Sequence, residues 1–331
     1  MKIKIVGGTG FLGYYTAKAA LQHGHAVGSF SLDDIPLGDW YPSEIDVRYG
    51  DVFTMSEDAL VEEFCGYDAM VYSVGPDDRV TPQAPSYNFF HERLVEHSAK
   101  VFRAARRAGV KRAVVYNSYF ATFDRLYPEK RLAELHPYIR CRVEQAKRLI
   151  DESNGEMDVM VLELPYIFGA MPERTPLWKD VFIERFFRLP VVCFPKGGTT
   201  MIHVRAIGEA GVGALEKGTG GERYPIGDEN HPYKDMLVWM EEGLGVKKPI
   251  CLVPAGLCAM GAEGIAKKEA KAGREAGLNM RHLMLDIMSE NLYIPEETIR
   301  EVSTLFGYTR GGVREGVIEA MHASYPQGFG K

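Results

Sequence analysis

The sequence has few cysteines and no pattern that would use them together. Five cysteines lie at positions 65, 141, 193, 251 and 258 of 331 residues, and no two form a Cys-x-x-Cys pair. An odd number at such spacings argues against a disulfide framework and against a zinc site. We therefore expect five reduced, mostly buried thiols.

Positive charge and long apolar runs are also scarce. The net charge of −6 argues against nucleic acid as a general partner. The longest uncharged stretch, Pro249 to Ala262, is too short for a membrane span, which needs ~20 residues. No signal peptide precedes the first apolar run. These absences predict a cytoplasmic protein with neither a membrane nor a nucleic-acid partner.

What the sequence does contain is a glycine-rich loop at Gly7–Gly13, GGTGFLG. The loop follows the apolar run Ile3 to Val6 and precedes apolar residues with helical spacing, so the order is strand, glycine turn, helix. Glycines allow a sharp turn and the close approach of a pyrophosphate, and the helix N-terminus offers free N–H groups to it. In this context the motif predicts a dinucleotide site.

The first half of the chain alternates predicted strands with predicted helices. This alternation predicts an α/β fold, a Rossmann-type doubly wound parallel sheet, in residues 1–169. Residues 170–331 are expected to form mainly a smaller, mostly helical substrate lobe, of which about 191–227 return to the Rossmann domain. Strands are predicted at 3–6, 26–31, 46–49, 69–74, 113–116, 159–164, 191–194 and 201–204, and helices at 60–64, 89–108, 137–150 and 175–189.

Further landmarks follow the glycine loop in a characteristic order. They are Gly50-Asp51-Val52, Ala108–Arg112, Tyr138–Glu144, Leu164–Gly169, Ile202-His203-Val204, Tyr224–Gly227 and Leu305–Tyr308. With the loop, these segments resemble the extended short-chain dehydrogenase/reductases, the NAD-dependent epimerase/dehydratase family, over nearly the whole chain.

The resemblance implies a catalytic site around Tyr138. In the family this tyrosine exchanges a proton with the substrate oxygen, while a nearby lysine lowers the tyrosine pKa and holds the nicotinamide ribose. Arg142 occupies the lysine position here, on the same helical face. Arginine supplies a permanent positive charge. Its guanidinium group is planar, unlike the lysine ammonium, and it cannot pass on a proton. Ser118 is expected to orient the substrate oxygen, and an alignment shifted by one residue places Tyr119 there instead.

Two further positions depart from the family pattern. The aspartate usual after His-Val is Arg205, and the arginine common before the proline that follows the sixth strand is Glu163. Both departures leave the fold prediction unchanged and bear on the chemistry.

The cofactor implied by the resemblance is NAD or NADP. An acid that holds the adenosine ribose is expected ~20 residues after the loop. Asp33 and Asp34 lie there, but the aligned position is Ser31, and no arginine follows it to hold a 2′-phosphate, which favours NAD. The predicted cofactor contacts are Gly7, Thr9, Gly10, Phe11, Leu12, Gly13, Ser31, Asp33, Asp51, Val52, Val74, Gly75 and Pro165.

Other candidate features have structural interpretations. His97 and His203 have no second ligand at metal spacing, so both are expected to be structural and no metal is predicted. The aromatic residues between Trp178 and Phe187 have helical spacing and are expected in a core, with a pocket wall as the alternative.

Together these features predict an NAD(P)-dependent oxidoreductase that reduces a carbonyl or oxidises a secondary alcohol of a small molecule. A sugar-nucleotide epimerase or dehydratase is an alternative, disfavoured because Thr200-Met201-Ile202 replaces the usual Arg-Asp-Phe. A dinucleotide-binding sensor with weak or no catalysis is a second alternative, because Arg142 replaces the lysine that the family uses in catalysis. The resemblance also implies a homodimer through the helices predicted at 89–108 and 137–150.

Overall fold

The computed structural model describes residues 1–33 and 35–330. Within these residues the strands are β1 (Lys2–Val6), β2 (Ala26–Ser31), β3 (Asp46–Tyr49), β4 (Ala69–Tyr72), β5 (Arg112–Ser118), β6 (Asp158–Leu164), β7 (Tyr166–Phe168), β8 (Val192–Pro195), β9 (Gly198–His203), β10 (Arg223–Pro225), β11 (Glu229–Pro232), β12 (Ile250–Val253) and β13 (Asn291–Leu292). The α-helices there are α1 (Phe11–Gln22), α2 (Glu57–Phe64), α3 (Ser86–Phe90), α4 (His97–Arg107), α5 (Phe120–Leu126), α6 (Leu132–Leu135), α7 (Pro137–Glu152), α8 (Val204–Lys217), α9 (Tyr233–Leu244), α10 (Ala255–Lys271), α11 (Met280–His282), α12 (Glu296–Phe306) and α13 (Val313–Ser324). Segments His91–Glu96, Lys179–Phe187 and Leu283–Met288 are π-helical, and Pro128–Lys130 form a 3₁₀ turn.

Seven parallel strands form the central sheet in the order β3-β2-β1-β4-β5-β6-β10. Ile3 and Ile5 of β1 belong to an apolar core on one face, which also holds residues of α1 and α8. Met70 of β4 and Val115 of β5 belong to a second core, shared with α4 and α7. Helices therefore cover both faces, which confirms the predicted doubly wound sheet. The chain order reverses between β1 and β4, the position where such sheets open a ligand crevice at their carboxyl edge.

The fourth strand and the helix predicted at 89–108 differ in detail from those observed. The fourth strand ends at Tyr72 rather than at residue 74, because the Ser73 hydroxyl turns back to donate a 2.8 Å hydrogen bond to the Val6 carbonyl. The helix predicted at 89–108 consists of α3, the π-helical segment His91–Glu96 and α4.

Outside the central sheet the chain forms small sheets with a separate apolar core, and this part of the chain is termed the second lobe below. Strand β9 pairs with β7, β11 and β13, and β8 pairs with β12. Trp178 stacks on Phe168 with ring centroids 4.5 Å apart, and Phe182 and Phe187 are buried beside them, as the helical spacing predicts for core residues. Of residues 191–227, β10 joins the central sheet and α8 packs against α1, whereas β8 and β9 stay in the second lobe.

The five cysteines are free, as expected, but the expectation that most are buried is wrong. Cys65, Cys193 and Cys251 are exposed, and only Cys141 is buried. Cys193 and Cys251 are register partners on β8 and β12, a two-stranded sheet. Among residues 1–33 and 35–330, no helix is long and apolar enough to cross a membrane.

Candidate active site

The glycine loop lies against the end of β4 and the first turn of α1. Gly7 has a φ of +88°, and a Cβ there would lie 2.6 Å from Val74 Cγ1. A Cβ at Gly13 would lie 2.1 Å from the Gly7 carbonyl oxygen. Both distances are well inside van der Waals contact, so side chains at 7 and 13 would push the loop and the helix apart.

Gly10 is the N-cap of α1. In the described chain this cap has no side-chain hydrogen bond, and the first turn carries no acidic residue. The first amides of a helix have no intrahelical acceptor, and the positive end of the helix dipole lies with them. The residues of this loop therefore fit the phosphates of a dinucleotide.

Ser31, at the end of β2, supports the loop from within. Its buried hydroxyl accepts a 3.1 Å hydrogen bond from the Thr9 N–H and lies 3.0 Å from Ser29 Oγ. The neighbouring Asp33 is exposed, and Asp34 lies outside the described residues. Ser31, the residue aligned with the ribose-binding acid, therefore has a hydroxyl that already contacts Thr9 and Ser29.

The remaining predicted cofactor residues follow strands β3, β4 and β6. Asp51 Oδ1 accepts a 2.9 Å hydrogen bond from the Phe53 N–H, and Val52 is buried in the adjoining core. Gly75 has a φ of +139°, and Pro165 is buried directly after β6. Because the carboxyl ends of parallel strands share one edge, these segments line the same edge as the glycine loop.

Tyr138 and Arg142 lie together on α7. Arg142 Nε donates a 2.9 Å hydrogen bond to the Tyr138 hydroxyl oxygen, and its Nη1 donates to Gln145 Oε1 at 3.0 Å and to the Tyr116 carbonyl at 3.4 Å. The two side chains are nearly buried, at 3% and 8% exposure. The predicted pairing on one helical face is therefore present, and the cation contacts the phenol directly.

Asn117 and Gln145 fix the position of Arg142, and sequence reasoning missed both. Asn117 Nδ2 donates to Gln145 Oε1 at 3.1 Å and to the Arg142 carbonyl at 3.0 Å, and Asn117 Oδ1 accepts from the Ser118 N–H at 2.6 Å. Gln145 is fully buried. Its position three residues after Arg142 was the available signal, since i and i+3 share a helix face.

The environment of Tyr138 raises the pKa of its hydroxyl. Burial is the largest cause, and the charge and hydrogen bond of Arg142 oppose it without reversing it. Arg142 lowers this pKa, as expected of a neighbouring cation, but burial outweighs it and the net shift is upward. Tyr138 is protonated at neutral pH.

A segment of the second lobe covers the start of α7. The Tyr138 N–H donates to the Gly277 carbonyl at 2.8 Å, and the Asn279 N–H donates to His136 Nδ1 at 3.0 Å. A Cβ at Gly277 would lie 2.4 Å from a ring carbon of Phe90, so the segment passes too close for a side chain. Burial lowers the pKa of His136 to about 4, which keeps its ring neutral and able to accept. Nothing local in the sequence indicates this contact.

Both candidates for orienting the substrate oxygen lie at the carboxyl end of β5, and each has a partner. Ser118 Oγ accepts a 3.3 Å hydrogen bond from the Phe120 N–H, and the Tyr119 hydroxyl accepts one of 3.0 Å from Thr199 Oγ1. Within the described residues no hydrogen bond joins Ser118 to Tyr138. The choice between Ser118 and Tyr119 stays open.

Asp78, in the loop after β4, is a further charged group at this site. Its carboxylate interacts electrostatically with Tyr138 and Arg142. Burial raises the pKa of Asp78, and the charge of Arg79 opposes that shift. The Arg79 guanidinium lies 5.7 Å from the ring centroid of Trp178 in the second lobe. The signal for this group was the charged run Asp77-Asp78-Arg79 directly after a predicted strand.

Glu163 has a structural explanation. Its fully buried carboxylate accepts hydrogen bonds from Arg125 at 2.7 and 2.8 Å and from Arg223 at 2.9 Å, and also from the Thr122 hydroxyl. These hydrogen bonds and charges lower the pKa of Glu163 despite its burial. The carboxylate thereby joins α5, β6 and β10.

His203 is the N-cap residue of α8, which begins at Val204. Its Nδ1 accepts a 3.1 Å hydrogen bond from the Arg205 N–H, and its Nε2 lies 3.2 Å from Glu319 Oε2. The structural role expected for His203 is therefore confirmed, and the exposed Arg205 side chain lies at the surface.

Comparison with known proteins gives one family match and several structures of similar fold. Residues 7–166 match a family described as NAD(P)H-binding, whereas the comparison with curated proteins gives no match. The fold is similar to that of gox2253, at 18% identity over 98% of both chains and a TM-score of 0.75. It is also similar to a nucleoside-diphosphate-sugar epimerase from Pseudomonas aeruginosa, at 15% identity over 98% of this chain and 97% of that one and a TM-score of 0.68. The UDP-glucose 4-epimerase from Bifidobacterium longum, in complex with NAD+ and UDP, shares 14% identity over 99% of this chain and 100% of that one, with a TM-score of 0.66.

The motifs along the chain, the family match and the strand order agree. Residues 7–166 match the NAD(P)H-binding family, and the fold of the chain is similar to that of gox2253 and of a solved nucleoside-diphosphate-sugar epimerase.

Proposed function

We propose that the protein is an NAD(P)-dependent oxidoreductase that reduces the carbonyl group of a small molecule, or oxidises the corresponding secondary alcohol. The observation that carries the proposal is the 2.9 Å hydrogen bond from Arg142 Nε to the Tyr138 hydroxyl oxygen. Both residues are buried, and α7 packs against β5 and β6 of the sheet whose carboxyl edge carries the glycine loop. Bound NAD(P)H supplies the hydride for reduction, and NAD(P)+ accepts it in the reverse direction.

Tyr138 is the proton donor in reduction. Arg142 donates into a lone pair of the phenolic oxygen, so the hydroxyl proton of Tyr138 is left for a substrate oxygen. When the carbonyl carbon takes up hydride, its oxygen takes this proton and the C=O bond becomes a secondary alcohol. Arg142 stabilises the resulting tyrosinate, which regains a proton from solvent; oxidation is the reverse. Because the pKa of Tyr138 is raised, the resting phenol holds its proton, which is the state that reduction requires.

We propose NAD as the preferred cofactor. The residues that follow β2 are Leu32 and Asp33, with no arginine to pair with a 2′-phosphate. The exposed carboxylate of Asp33 would repel a second anion there.

A sugar-nucleotide epimerase is the second candidate, and the similarity over the full length to structures of such enzymes supports it. It would use the same tyrosine and cation with no net change in the cofactor. Against it, Thr200 of the replaced Thr200-Met201-Ile202 segment is fully buried and engaged, since its hydroxyl donates to Asn230 Oδ1 at 2.6 Å and accepts from the Ile294 N–H at 2.8 Å.

One experiment separates these reactions. The purified chain is incubated with NADH or NADPH and a panel of aldehydes and ketones, with NAD+ or NADP+ and secondary alcohols, and with UDP-sugars. Nicotinamide absorbance reports net oxidation or reduction, and NMR identifies the products. Stoichiometric cofactor turnover supports the oxidoreductase; sugar isomerisation without net absorbance change supports the epimerase. Tight cofactor binding with no product from any substrate supports the sensor and overturns both enzymes.

A further inference from the structure

A second cluster of potential ligand atoms lies at the far end of α1, twelve helical residues or about 18 Å from the glycine loop. We infer that His23, His25 and Glu216 form a binding site for a divalent transition metal such as Zn²⁺. His23 Nδ1 lies 3.1 Å from Glu216 Oε1, and His25 Nε2 lies 2.8 Å from the same oxygen. All three ligand atoms lie within 4.8 Å of one another.

These separations fit a metal with short bonds. Zinc binds imidazole nitrogen and carboxylate oxygen at roughly 2.0–2.2 Å, which places tetrahedral ligand atoms ~3.3 Å apart. The two distances to Glu216 Oε1, 2.8 and 3.1 Å, are close to that spacing, and the two imidazole nitrogens lie within 4.8 Å of each other. Coordination therefore requires the two imidazole rings to move closer together. Two imidazoles and one carboxylate are a donor set that zinc prefers, and a water would complete the tetrahedron.

The backbone around the cluster favours a cation. His23 is the C-cap residue of α1, and Glu216 lies in the last turn of α8. Two helix C-termini thus converge here, and each carries the negative end of a helix dipole. Glu216 Oε1 lies within hydrogen-bonding distance of both imidazoles, so the three donor groups already face one another.

The exposure of the three side chains determines whether a metal can reach the cluster, and the Met1 amino group competes with it for His25. The side chains of His23, His25 and Glu216 are 41%, 11% and 26% exposed, so a metal can enter from solvent. The Met1 amino group lies 3.2 Å from His25 Nδ1. Coordination through Nε2 leaves the ring proton on Nδ1, so the Met1 amino group must move away from His25 when metal binds.

The site would join two helices that carry other functions. Helix α1 begins at the glycine loop, and α8 begins at the His203 cap. A metal bridging their C-terminal ends would hold α1 on α8 and stabilise the fold. The sequence analysis missed this site because the carboxylate lies 191 residues after His25.

The test uses the full chain without an affinity tag, freed of metal by a chelator. Isothermal titration with ZnCl₂ should give one metal per chain at micromolar concentration, and Zn²⁺ should raise the melting temperature. His25→Ala and the double variant His23→Ala/His25→Ala should lose both effects, and Glu216→Gln should weaken binding by roughly tenfold or more. His91→Ala is the matched control, since His91 Nε2 lies 3.9 Å from Glu96 and from Glu144 without a second imidazole in its cluster.

Melting curves without metal establish that each variant is folded. Wild-type protein that binds no Zn²⁺ at micromolar concentration overturns the inference. So does a folded His23→Ala/His25→Ala variant that binds as tightly as the wild type. When Co²⁺ replaces Zn²⁺, the wild type should show the intense visible absorption of a tetrahedral site. Weak absorption, typical of octahedral Co²⁺, that is the same in the wild type and in the double variant would also contradict the inference.

Discussion

Arg142 donates a hydrogen bond of 2.9 Å from Nε to the hydroxyl oxygen of Tyr138, inside a site where both side chains are nearly buried. Burial disfavours tyrosinate, and the guanidinium favours it. The balance leaves a phenol that holds its proton in the resting protein. That phenol has a permanent cation beside it when the proton leaves.

Replacing Tyr138 by phenylalanine removes the proposed proton donor. Tyr138→Phe should lower turnover by ~10²–10⁴-fold, the usual contribution of general acid–base catalysis, with cofactor affinity unchanged. The ring keeps its edge-to-face contact with Phe90, 5.3 Å between centroids, so the fold should persist. Steady-state kinetics and NADH fluorescence titration measure both quantities.

Tyr87→Phe is the control for that substitution, since the Tyr87 hydroxyl also has a hydrogen-bond partner, Glu144 at 3.0 Å. Turnover of Tyr87→Phe should match the wild type. Equal turnover in Tyr138→Phe and the wild type would show that the proton passes through another group.

Arg142→Lys tests whether charge alone is needed at this position. Lysine should retain or raise activity, and the pH optimum should move because an ammonium group titrates and a guanidinium does not. Arg142→Met removes the charge and should lose most of the turnover. A pH–rate profile from about pH 6 to 11 measures the difference. Activity of Arg142→Met equal to the wild type would contradict a role for the cation.

Gly10 and Gly13 should respond differently to substitution. A Cβ at Gly10 would lie 3.2 Å from the Gly7 carbonyl oxygen, against 2.1 Å at Gly13. Gly10→Val should therefore fold but weaken NADH binding by roughly tenfold or more, since ~1.4 kcal/mol is lost for each factor of ten. Gly13→Val should lower the melting temperature. Unchanged NADH affinity in a folded Gly10→Val variant would show that the cofactor does not bind at this loop.

Glu163→Gln should destabilise the protein without touching the proposed catalytic groups. It leaves Arg125 and Arg223 around an uncharged amide, and breaking a buried ion pair typically costs ~3–5 kcal/mol. Because the folded pKa of Glu163 is lowered, its stabilising effect is present above the unfolded pKa of ~4.3 and is lost as pH falls through the folded value. Urea unfolding at neutral and acid pH measures this.

Glu134→Gln serves as the comparison for Glu163→Gln, since Glu134 pairs with Arg131 at the surface. Its unfolding midpoint should match the wild type. Equal midpoints for Glu163→Gln and the wild type at neutral pH would show that the buried network adds no stability.

His136 makes stability depend on pH over a different range. Its folded pKa of about 4 lies below the ordinary value of 6.5, so the unfolded chain binds more protons between these values. Its contribution is complete above 6.5 and declines as pH falls towards 4. His136→Gln, which does not titrate, should give a flatter stability curve over that range. The protection factor of the Asn279 amide, its exchange relative to the intrinsic rate at each pH, should fall between pH 6.5 and 4 in the wild type. A protection factor that stays constant over this range would contradict this origin.

The features that sequence reasoning predicted depend on near neighbours in the chain. The glycine loop needs a strand before it and a helix after it, and Tyr138 and Arg142 need only one helical turn to meet. The same holds for the parallel strands and for the buried aromatic residues near Trp178. Each of these patterns lies within about ten residues of sequence, so it can be recognised without knowing the rest of the fold.

What sequence reasoning missed requires segments far apart in the chain. Asn117 and Gln145 meet across 28 residues, and Gly277 reaches Tyr138 from the second lobe. The net direction of the Tyr138 pKa also depends on this burial. Its neighbour Arg142 is visible in the sequence and predicts the opposite sign.

The sequence by itself therefore determined the sheet, the cofactor loop and the tyrosine–arginine pair, because periodicity and turn chemistry are local. Only the tertiary structure decided how deeply Tyr138 is buried, which groups surround Glu163 and that His23, His25 and Glu216 lie together. Burial and charge pairing depend on which distant segments pack together, and no spacing rule along the chain encodes that.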